Sequence, residues 1–240
     1  MKLAILEADI LHDSLRETHV GYGRMFQDLL RRTGMDWDLT IYPVINGAYP
    51  ASPDHYDAFL ITGSKFDSFA DDEWIVRLRQ YAQALYEHNR PMVGICFGHQ
   101  LLAHALGGQT ARSDAGWGLG VMEYALVNHP SFVELPGEAA PSSVRLIASH
   151  QDQVAELPPQ ALPLLSSDFC PNAGFYIPGK VLTIQAHPEF NVDYASALLE
   201  LRAGQLTPEH TARVQASFEV PHDGALVGAW IKCFLEQASG

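Results

Sequence analysis

The chain has 240 residues, and its 15 basic and 28 acidic side chains give a formal net charge of −13 at pH 7. This acidic balance argues against nucleic-acid binding, because proteins of that class need a basic face. No apolar stretch is long enough to span a membrane, and acidic residues occur too early in the N-terminal segment for a signal peptide. We therefore expect a soluble cytoplasmic protein with neither a nucleic-acid nor a membrane partner.

Strands and helices are predicted to alternate through the first half of the chain. The predicted elements are strands over 2–8, 38–44, 58–62 and 92–95, helices over 20–32, 73–88 and 97–106, and a polar loop over 9–18. Such alternation is typical of a parallel sheet with helices on both faces. Ligands of these sheets bind at the carboxyl ends of the strands, where we expect Gly63 and Cys96.

Short strands and then helices are predicted in the second half. The predicted elements are strands over 120–127, 144–148, 162–166, 175–177 and 181–184, and helices over 192–203, 208–218 and 225–237. We expect the strands to form a mostly antiparallel extension of the sheet. No linker divides the chain, so we expect one domain over residues 1–240, with a core over about 1–191 and a helical extension over about 192–240.

Cys96 lies where a protein would activate a cysteine. It follows the predicted strand that ends at Ile95, a helical pattern begins directly after it, and Gly94 and Gly98 flank it. A cysteine in a tight strand-to-helix turn is held out of the sheet, and glycines leave room for the turn. The positive end of the following helix favours thiolate over thiol. This setting predicts a reactive cysteine, although an isolated free cysteine is usually buried and inert.

A histidine and a glutamate are candidates for the base that such a cysteine needs. His187 and Glu189 follow the apolar run 181–184, and Pro188 favours an extended conformation at His187. Residues i and i+2 of an extended segment point to the same side, so the carboxylate can orient the imidazole. Nucleophile, base and orienting group are together the elements of a catalytic triad.

The other cysteines and two nearby histidines carry no predicted site. Cys170 and Cys233 stand at spacings that match neither a disulfide framework nor a zinc site, so we expect buried thiols. His99 and His104 do not share a helix face in the i, i+4 manner of metal ligands. We predict no metal site and no cofactor.

Four segments, in this order along the chain, resemble those of the class I, triad-type glutamine amidotransferases. They are Ile61-Thr62-Gly63-Ser64, Gly94-x-Cys96-x-Gly98-x-Gln100, the segment SHQDQV over 149–154, and His187-Pro188-Glu189. The resemblance covers roughly the first 190 residues. It implies the family's flavodoxin-like α/β fold, a central mostly parallel sheet flanked by helices, with a small antiparallel extension and C-terminal helices.

The resemblance also implies a set of site residues. Cys96 is implied as the nucleophile, with His187 and Glu189 completing the triad. The backbone N–H groups of Gly63 and Phe97 are implied as an oxyanion hole. The implied substrate-binding residues are Gln100, Ser149, His150 and Asp152.

Structural alternatives stand beside three of these implied roles. Gly63 can serve only to allow a turn after a strand, and many family members carry Gly-Gly-Pro where this chain has Gly63-Ser64-Lys65. Gln100 can be a helix-start residue that bonds the backbone. Asp152 can be a turn residue or a helix cap.

The resemblance leads to three interpretations of function. As a standalone glutaminase, the protein would hydrolyse the small-molecule substrate glutamine through a γ-glutamyl thioester and supply ammonia to a separate synthetase subunit, as the glutaminase part of GMP synthetase does. As a γ-glutamyl peptidase, like the related plant enzymes, it would act on γ-glutamyl compounds without a partner. The third interpretation is a non-catalytic glutamine-binding regulatory subunit. Helices without a nucleotide-binding loop follow Glu189, so the chain shows no synthetase of its own. These helices would cover a face on which a partner could dock, which tilts the choice toward autonomous action.

Overall fold

A nine-stranded sheet forms the centre of the computed structural model, which describes residues 1–137 and 139–240. The strands are β1 (Lys2–Glu7), β2 (Asp38–Pro43), β3 (Ala58–Ile61), β4 (Met92–Ile95), β5 (Gln109–Arg112), β6 (Gly118–Leu126), β7 (Ser143–His150), β8 (Asp152–Glu156), β9 (Leu162–Ser166), β10 (Gly174–Ile177) and β11 (Val181–Ile184). The helices are α1 (Asp13–His19), α2 (Tyr22–Arg32), α3 (Glu73–Glu87), α4 (Phe97–Ala105), α5 (Val192–Arg202), α6 (Pro208–Ser217) and α7 (Gly224–Ser239).

The large sheet has a parallel half and an antiparallel half. Its strand order is β2-β1-β3-β4-β11-β10-β9-β6-β7, while β5 and β8 pair in a separate two-stranded sheet. Neighbours from β2 to β11 in this order are parallel, and every later pair is antiparallel. The predicted fold class, a mostly parallel central sheet flanked by helices with an antiparallel extension, is confirmed.

Helices cover both faces of the parallel half. Leu3 and Ile5 of β1 pack in one core with side chains of α2 and α7, whereas Ala4 and Leu6 pack in a second core with side chains of α3 and α4. Successive residues of a strand point to opposite faces, which explains this division. The central strands β3, β4 and β11 are buried at every residue, as expected for strands covered on both sides.

No helix in the described ranges is both long and apolar enough to cross a membrane.

Two predictions of secondary structure are wrong. Residues 9–18 are not all loop, because α1 begins at Asp13, where the His12 side chain accepts a hydrogen bond from the Ser14 N–H. Leu15 alone is buried in α1, so this helix has no apolar repeat to reveal it. The small sheet of β5 and β8 is also absent from the predicted elements, since β5 has the polar sequence QTAR and is largely exposed.

The turn between β4 and α4 requires glycine at two positions. A Cβ on Gly98 would lie 2.3 Å from the carbonyl oxygen of Ile61, and a Cβ on Gly94 would lie 2.5 Å from that of Gly98. The Gly98 N–H donates to the carbonyl of Thr62 at 3.2 Å. Backbone atoms cannot move aside as a flexible side chain can. Helix α4 therefore approaches the ends of β3 and β4 this closely only because both residues lack side chains.

We expect Gly98→Ala to destabilise the protein by at least about 1–3 kcal/mol, because the added methyl group would overlap the Ile61 carbonyl. The measurement is the free energy of unfolding in urea. Gly204→Ala is the matched control, since a Cβ at Gly204 would have no other atom within 4 Å. The control should be neutral or slightly stabilising. Equal effects of the two substitutions would contradict the close-approach argument.

Candidate active site

Cys96 occupies a strained turn between β4 and α4. Its backbone angles are φ 52° and ψ −103°, and only 5% of its surface is exposed. A positive φ is unusual for a residue other than glycine and costs on the order of 1–3 kcal/mol. The Cys96 N–H donates to the Ile184 carbonyl at 2.9 Å, and its carbonyl accepts from the Gln100 N–H at 3.1 Å. Hydrogen bonds on both sides thus hold Cys96 in a conformation that it would not adopt alone.

His187 and Glu189 reach the same edge of the sheet after β11. His187 Nδ1 and Glu189 Oε1 are 2.8 Å apart, and both side chains are buried. The His187 N–H donates to the Ile147 carbonyl at 2.9 Å, which ties this segment to β7. The imidazole also stacks on Phe190, with ring centroids 3.8 Å apart and planes 11° apart. Glu189 and Phe190 therefore fix the ring, and the Nδ1 bond to Glu189 leaves Nε2 as the nitrogen available to another group.

The charges around His187 favour its protonated form. Burial alone would lower the pKa of His187, but the negative charges of Glu189 and of a Cys96 thiolate outweigh it and raise the pKa to about 10. His187 consequently holds its proton at neutral pH. A positive imidazole beside Cys96 is the environment that stabilises a thiolate sulfur.

Gly63 lies between the cysteine and the histidine. A Cβ on Gly63 would be 2.8 Å from His187 Cε1 and 3.7 Å from Cys96 Cβ, so the site has no room for a side chain here. The backbone N–H groups of Gly63 and Phe97 have no hydrogen-bond acceptor within the described residues. Two backbone donors beside Cys96 are thus left unpaired by the protein.

An open cavity of about 370 Å³ extends from Cys96. The other residues in its lining that the sequence predicts are Gln100, Ser149, His150 and Asp152. This volume is typical of a small-molecule site. A second cavity of about 530 Å³ adjoins it, and the two share Trp117 and Gln205 in their linings.

The carbonyl oxygen of Asp152 organises one wall of the first cavity. Gln100 Nε2 donates to this oxygen at 2.8 Å and to Gln185 Oε1 at 3.1 Å, so the Gln100 amide is already engaged. His150 Nδ1 contacts the same oxygen at 3.0 Å, and burial lowers the pKa of His150 to about 4. His150 is therefore neutral at physiological pH. Its Nε2 is buried and has no hydrogen-bond partner within the described residues.

The sequence profile of the family described as glutamine amidotransferase class-I matches residues 29–200. The chain belongs to the class I glutamine amidotransferases. Gamma-glutamyl peptidase 4 of Arabidopsis thaliana is 34% identical over 209 residues, which cover 85% of this chain and 82% of that protein. A glutamine amidotransferase-like protein of Gibberella zeae is 28% identical over 209 residues, covering 83% and 81% of the two chains.

A solved structure extends the comparison to the fold. A glutamine amidotransferase from Thermotoga maritima superposes with a TM-score of 0.76 at 20% identity, and the match covers 99% of this chain and 98% of that one. The C-terminal helices are therefore included in the shared fold. The predicted membership of the class I amidotransferase family is confirmed.

Sequence reasoning missed an ion-pair cluster on the wall of the cavity that Cys96 lines. Arg112 Nε donates to Asp152 Oδ1 and Arg112 Nη2 to Asp67 Oδ1, both at 2.8 Å. Burial raises the pKa of Asp152, and the bond to Arg112 opposes that shift. The nearby β5 strand carries Arg112, and because that strand was not predicted, nothing in the sequence placed Arg112 beside Asp152.

Sequence reasoning also missed Arg202 and Trp117. Arg202 is the last residue of α5, within the segment interpreted as an extension beyond the core, yet it lines the same cavity as Cys96. Its guanidinium carbon lies 4.5 Å from the centroid of the Trp117 ring, and its Nη1 donates to Ser149 Oγ. An arginine at the C-terminal end of a helix gives no sequence signal that separates it from a surface residue.

We expect Glu189→Gln to lower the pKa of His187, because it removes the negative charge that raises this pKa against the effect of burial. His187 has a folded pKa of about 10 against a reference value of 6.5, so its proton stabilises the folded state. That contribution is fully present below pH 6.5 and is lost as the pH rises through about 10. The free energy of unfolding of wild type and Glu189→Gln should therefore differ most below pH 6.5 and converge toward pH 10. A difference that stays constant with pH would contradict the assignment.

Proposed function

We propose that this amidotransferase-family protein hydrolyses γ-glutamyl amides through a thioester at Cys96. The observation that carries the proposal is the buried His187–Glu189 pair beside a cysteine in a strained strand-to-helix turn. These are the three groups that nucleophilic catalysis by a cysteine needs: a nucleophile, a base and a group that orients the base. The same geometry does not by itself select the amide.

In the proposed reaction, the Cys96 sulfur attacks the side-chain carbonyl carbon and a tetrahedral oxyanion forms. The unpaired N–H groups of Gly63 and Phe97 would donate to that oxygen. The carbon–nitrogen bond then breaks, and His187 passes its proton to the departing nitrogen. Water activated by His187 hydrolyses the thioester, which releases glutamate and returns the proton to the enzyme. Glu189 keeps the imidazole oriented through its contact with Nδ1.

The ion-pair cluster of the cavity suits the amino end of a γ-glutamyl group. Arg112 lies between Asp67 and Asp152, so two carboxylates share one guanidinium and the cluster has a net negative charge. A substrate α-ammonium group could take the remaining carboxylate oxygens. We therefore propose that Asp67 and Asp152 together bind the ammonium group of the substrate. Gln100 is proposed to hold this wall of the cavity in place through its bond to the Asp152 carbonyl oxygen.

A γ-glutamyl peptide is the proposed substrate class. The cleft continues past Trp117 into the second cavity of about 530 Å³, which gives space for a leaving group larger than ammonia. A relative that is 34% identical is named a γ-glutamyl peptidase, which also supports this choice. Glutamine remains the second candidate, because the class I amidotransferase profile spans most of the chain. With glutamine, the product ammonia would serve a separate synthetase subunit.

We expect Cys96→Ala to reduce hydrolysis of γ-glutamyl substrates by at least about 10³-fold, because no other group would form the thioester. Release of glutamate by purified protein is the measurement. Cys233→Ala is the matched control: Cys233 lies on α7, and burial raises its pKa, so that it stays a thiol. Equal activity of the two variants would refute the proposed nucleophile. A γ-glutamyl chloroketone that leaves Cys96 unmodified would favour the non-catalytic binding subunit.

The choice between the two substrate classes can be measured on the same protein. We expect kcat/KM for γ-glutamyl dipeptides to exceed that for glutamine by at least about tenfold, since the larger leaving group gains contacts in the second cavity. A ratio in favour of glutamine, or activity that rises when a synthetase co-purifies, would support the glutaminase interpretation instead.

A further inference from the structure

Arg202 differs from the other cations that line the cavity of Cys96. Lys65 Nζ lies 3.2 Å from Asp9 Oδ1, and Arg112 contacts two carboxylates. Within the described residues, no carboxylate lies within 4 Å of the Arg202 guanidinium. Arg202 is thus a cation of the site that no carboxylate of the described residues contacts.

The surroundings of Arg202 remove it from water without replacing the water by an anion. The side chain is only partly exposed, and burial lowers its pKa from the usual value. Its protein contacts are the Ser149 hydroxyl and the face of Trp117. A charge that loses hydration without a carboxylate in contact is costly, so an anionic ligand here would recover part of that cost.

The geometry limits which anion fits. The Trp117 ring covers one face of the Arg202 guanidinium, and Nη1 donates to the Ser149 hydroxyl. Neither contact uses the remaining N–H donors of the guanidinium. Arginine pairs with carboxylates through two parallel N–H···O bonds, which gives both affinity and orientation. The Asp67–Arg112–Asp152 cluster on the cavity wall is opposite in charge to Arg202 and would repel a carboxylate. A ligand with a carboxylate and an ammonium group would therefore have one place for each.

We infer that Arg202, held against Trp117, binds a carboxylate of the substrate. The inference rests on the proposed function only in taking the cavity of Cys96 as the substrate site. γ-Glutamyl compounds carry an α-carboxylate, and γ-glutamyl peptides carry a second carboxylate on the leaving group. Since α5 supplies Arg202, the C-terminal helices form part of the recognition site and are more than an appendage to the sheet.

The test measures binding to protein that cannot turn substrate over. In a Cys96→Ala background, we expect Arg202→Gln to weaken the binding of γ-glutamylglycine by about 10- to 100-fold, as measured by calorimetry. Arg202→Lys keeps the charge without the fork and should lose less. Arg145→Gln is the matched control, because Arg145 is an exposed arginine of β7 outside the cavity. It should bind as tightly as the parent.

Two analogues identify the carboxylate. If Arg202 binds the α-carboxylate, Arg202→Gln will not change the affinity for 4-aminobutyrylglycine, which lacks only that group. If it binds the leaving-group carboxylate, the variant will not change the affinity for γ-glutamylglycine amide. Equal affinity of the Arg202→Gln and parent proteins for γ-glutamylglycine would overturn the inference. So would a loss with each analogue as large as the loss with γ-glutamylglycine, because removal of either carboxylate would then leave the effect unchanged.

The outcome is separable from that of the proposed function. The binding measurement uses protein without the Cys96 thiol, so it does not depend on hydrolysis. Arg202-dependent binding together with inert wild-type protein would refute the proposed hydrolysis and leave the carboxylate site standing. Hydrolysis that depends on Cys96 but is indifferent to Arg202→Gln would do the reverse.

Discussion

Three parallel strands that end at the same level set the position of every proposed reacting group. Ile61 of β3 is in register with Gly94 of β4, and Ile95 of β4 is in register with Ile184 of β11. The residues that follow these strands therefore leave the sheet at one edge. The loop after β3 brings in Gly63, the turn after β4 brings in Cys96, and the extended segment after β11 brings in His187. A change of register in any one strand would separate groups that are now in contact.

Burial and charge act together at this edge. His187 is fully enclosed by protein, and an enclosed imidazole would ordinarily be neutral, as His150 is on the cavity wall. The difference lies in the neighbours: His187 faces the carboxylate of Glu189, whereas His150 faces the carbonyl oxygen of Asp152. Of these two buried histidines, His187 is therefore positively charged and His150 is neutral. The site has a positive imidazolium where a sulfur anion would form and a neutral ring on the substrate side.

The sequence predicted those parts of the protein that depend on local patterns. The buried strands are continuous apolar runs in the sequence, and Cys96 with its flanking glycines indicates the turn after β4. Both features depend only on residues that are close together in the sequence. Helix α1 escaped prediction because it buries only Leu15, and β5 because its side chains are polar. Arg202 escaped for a different reason. Its role depends on the approach of α5 to Trp117 across the molecule, and no pattern of nearby residues encodes that distance.

The backbone angles of Cys96 are less favourable for cysteine than for glycine, so keeping a thiol at this position lowers the stability of the fold. Glycine would adopt a φ of 52° without strain, so the fold alone would favour glycine at this position. A cysteine at this position is strained, and the rest of the protein must offset that strain. It does so through the hydrogen bonds to Ile184 and Gln100 and the close packing of α4 against β3 and β4. Glycine at position 96 would therefore relieve the strain and remove the thiol in a single change. A cysteine at this position has a constant cost in stability, on the order of 1–3 kcal/mol, that glycine would not have.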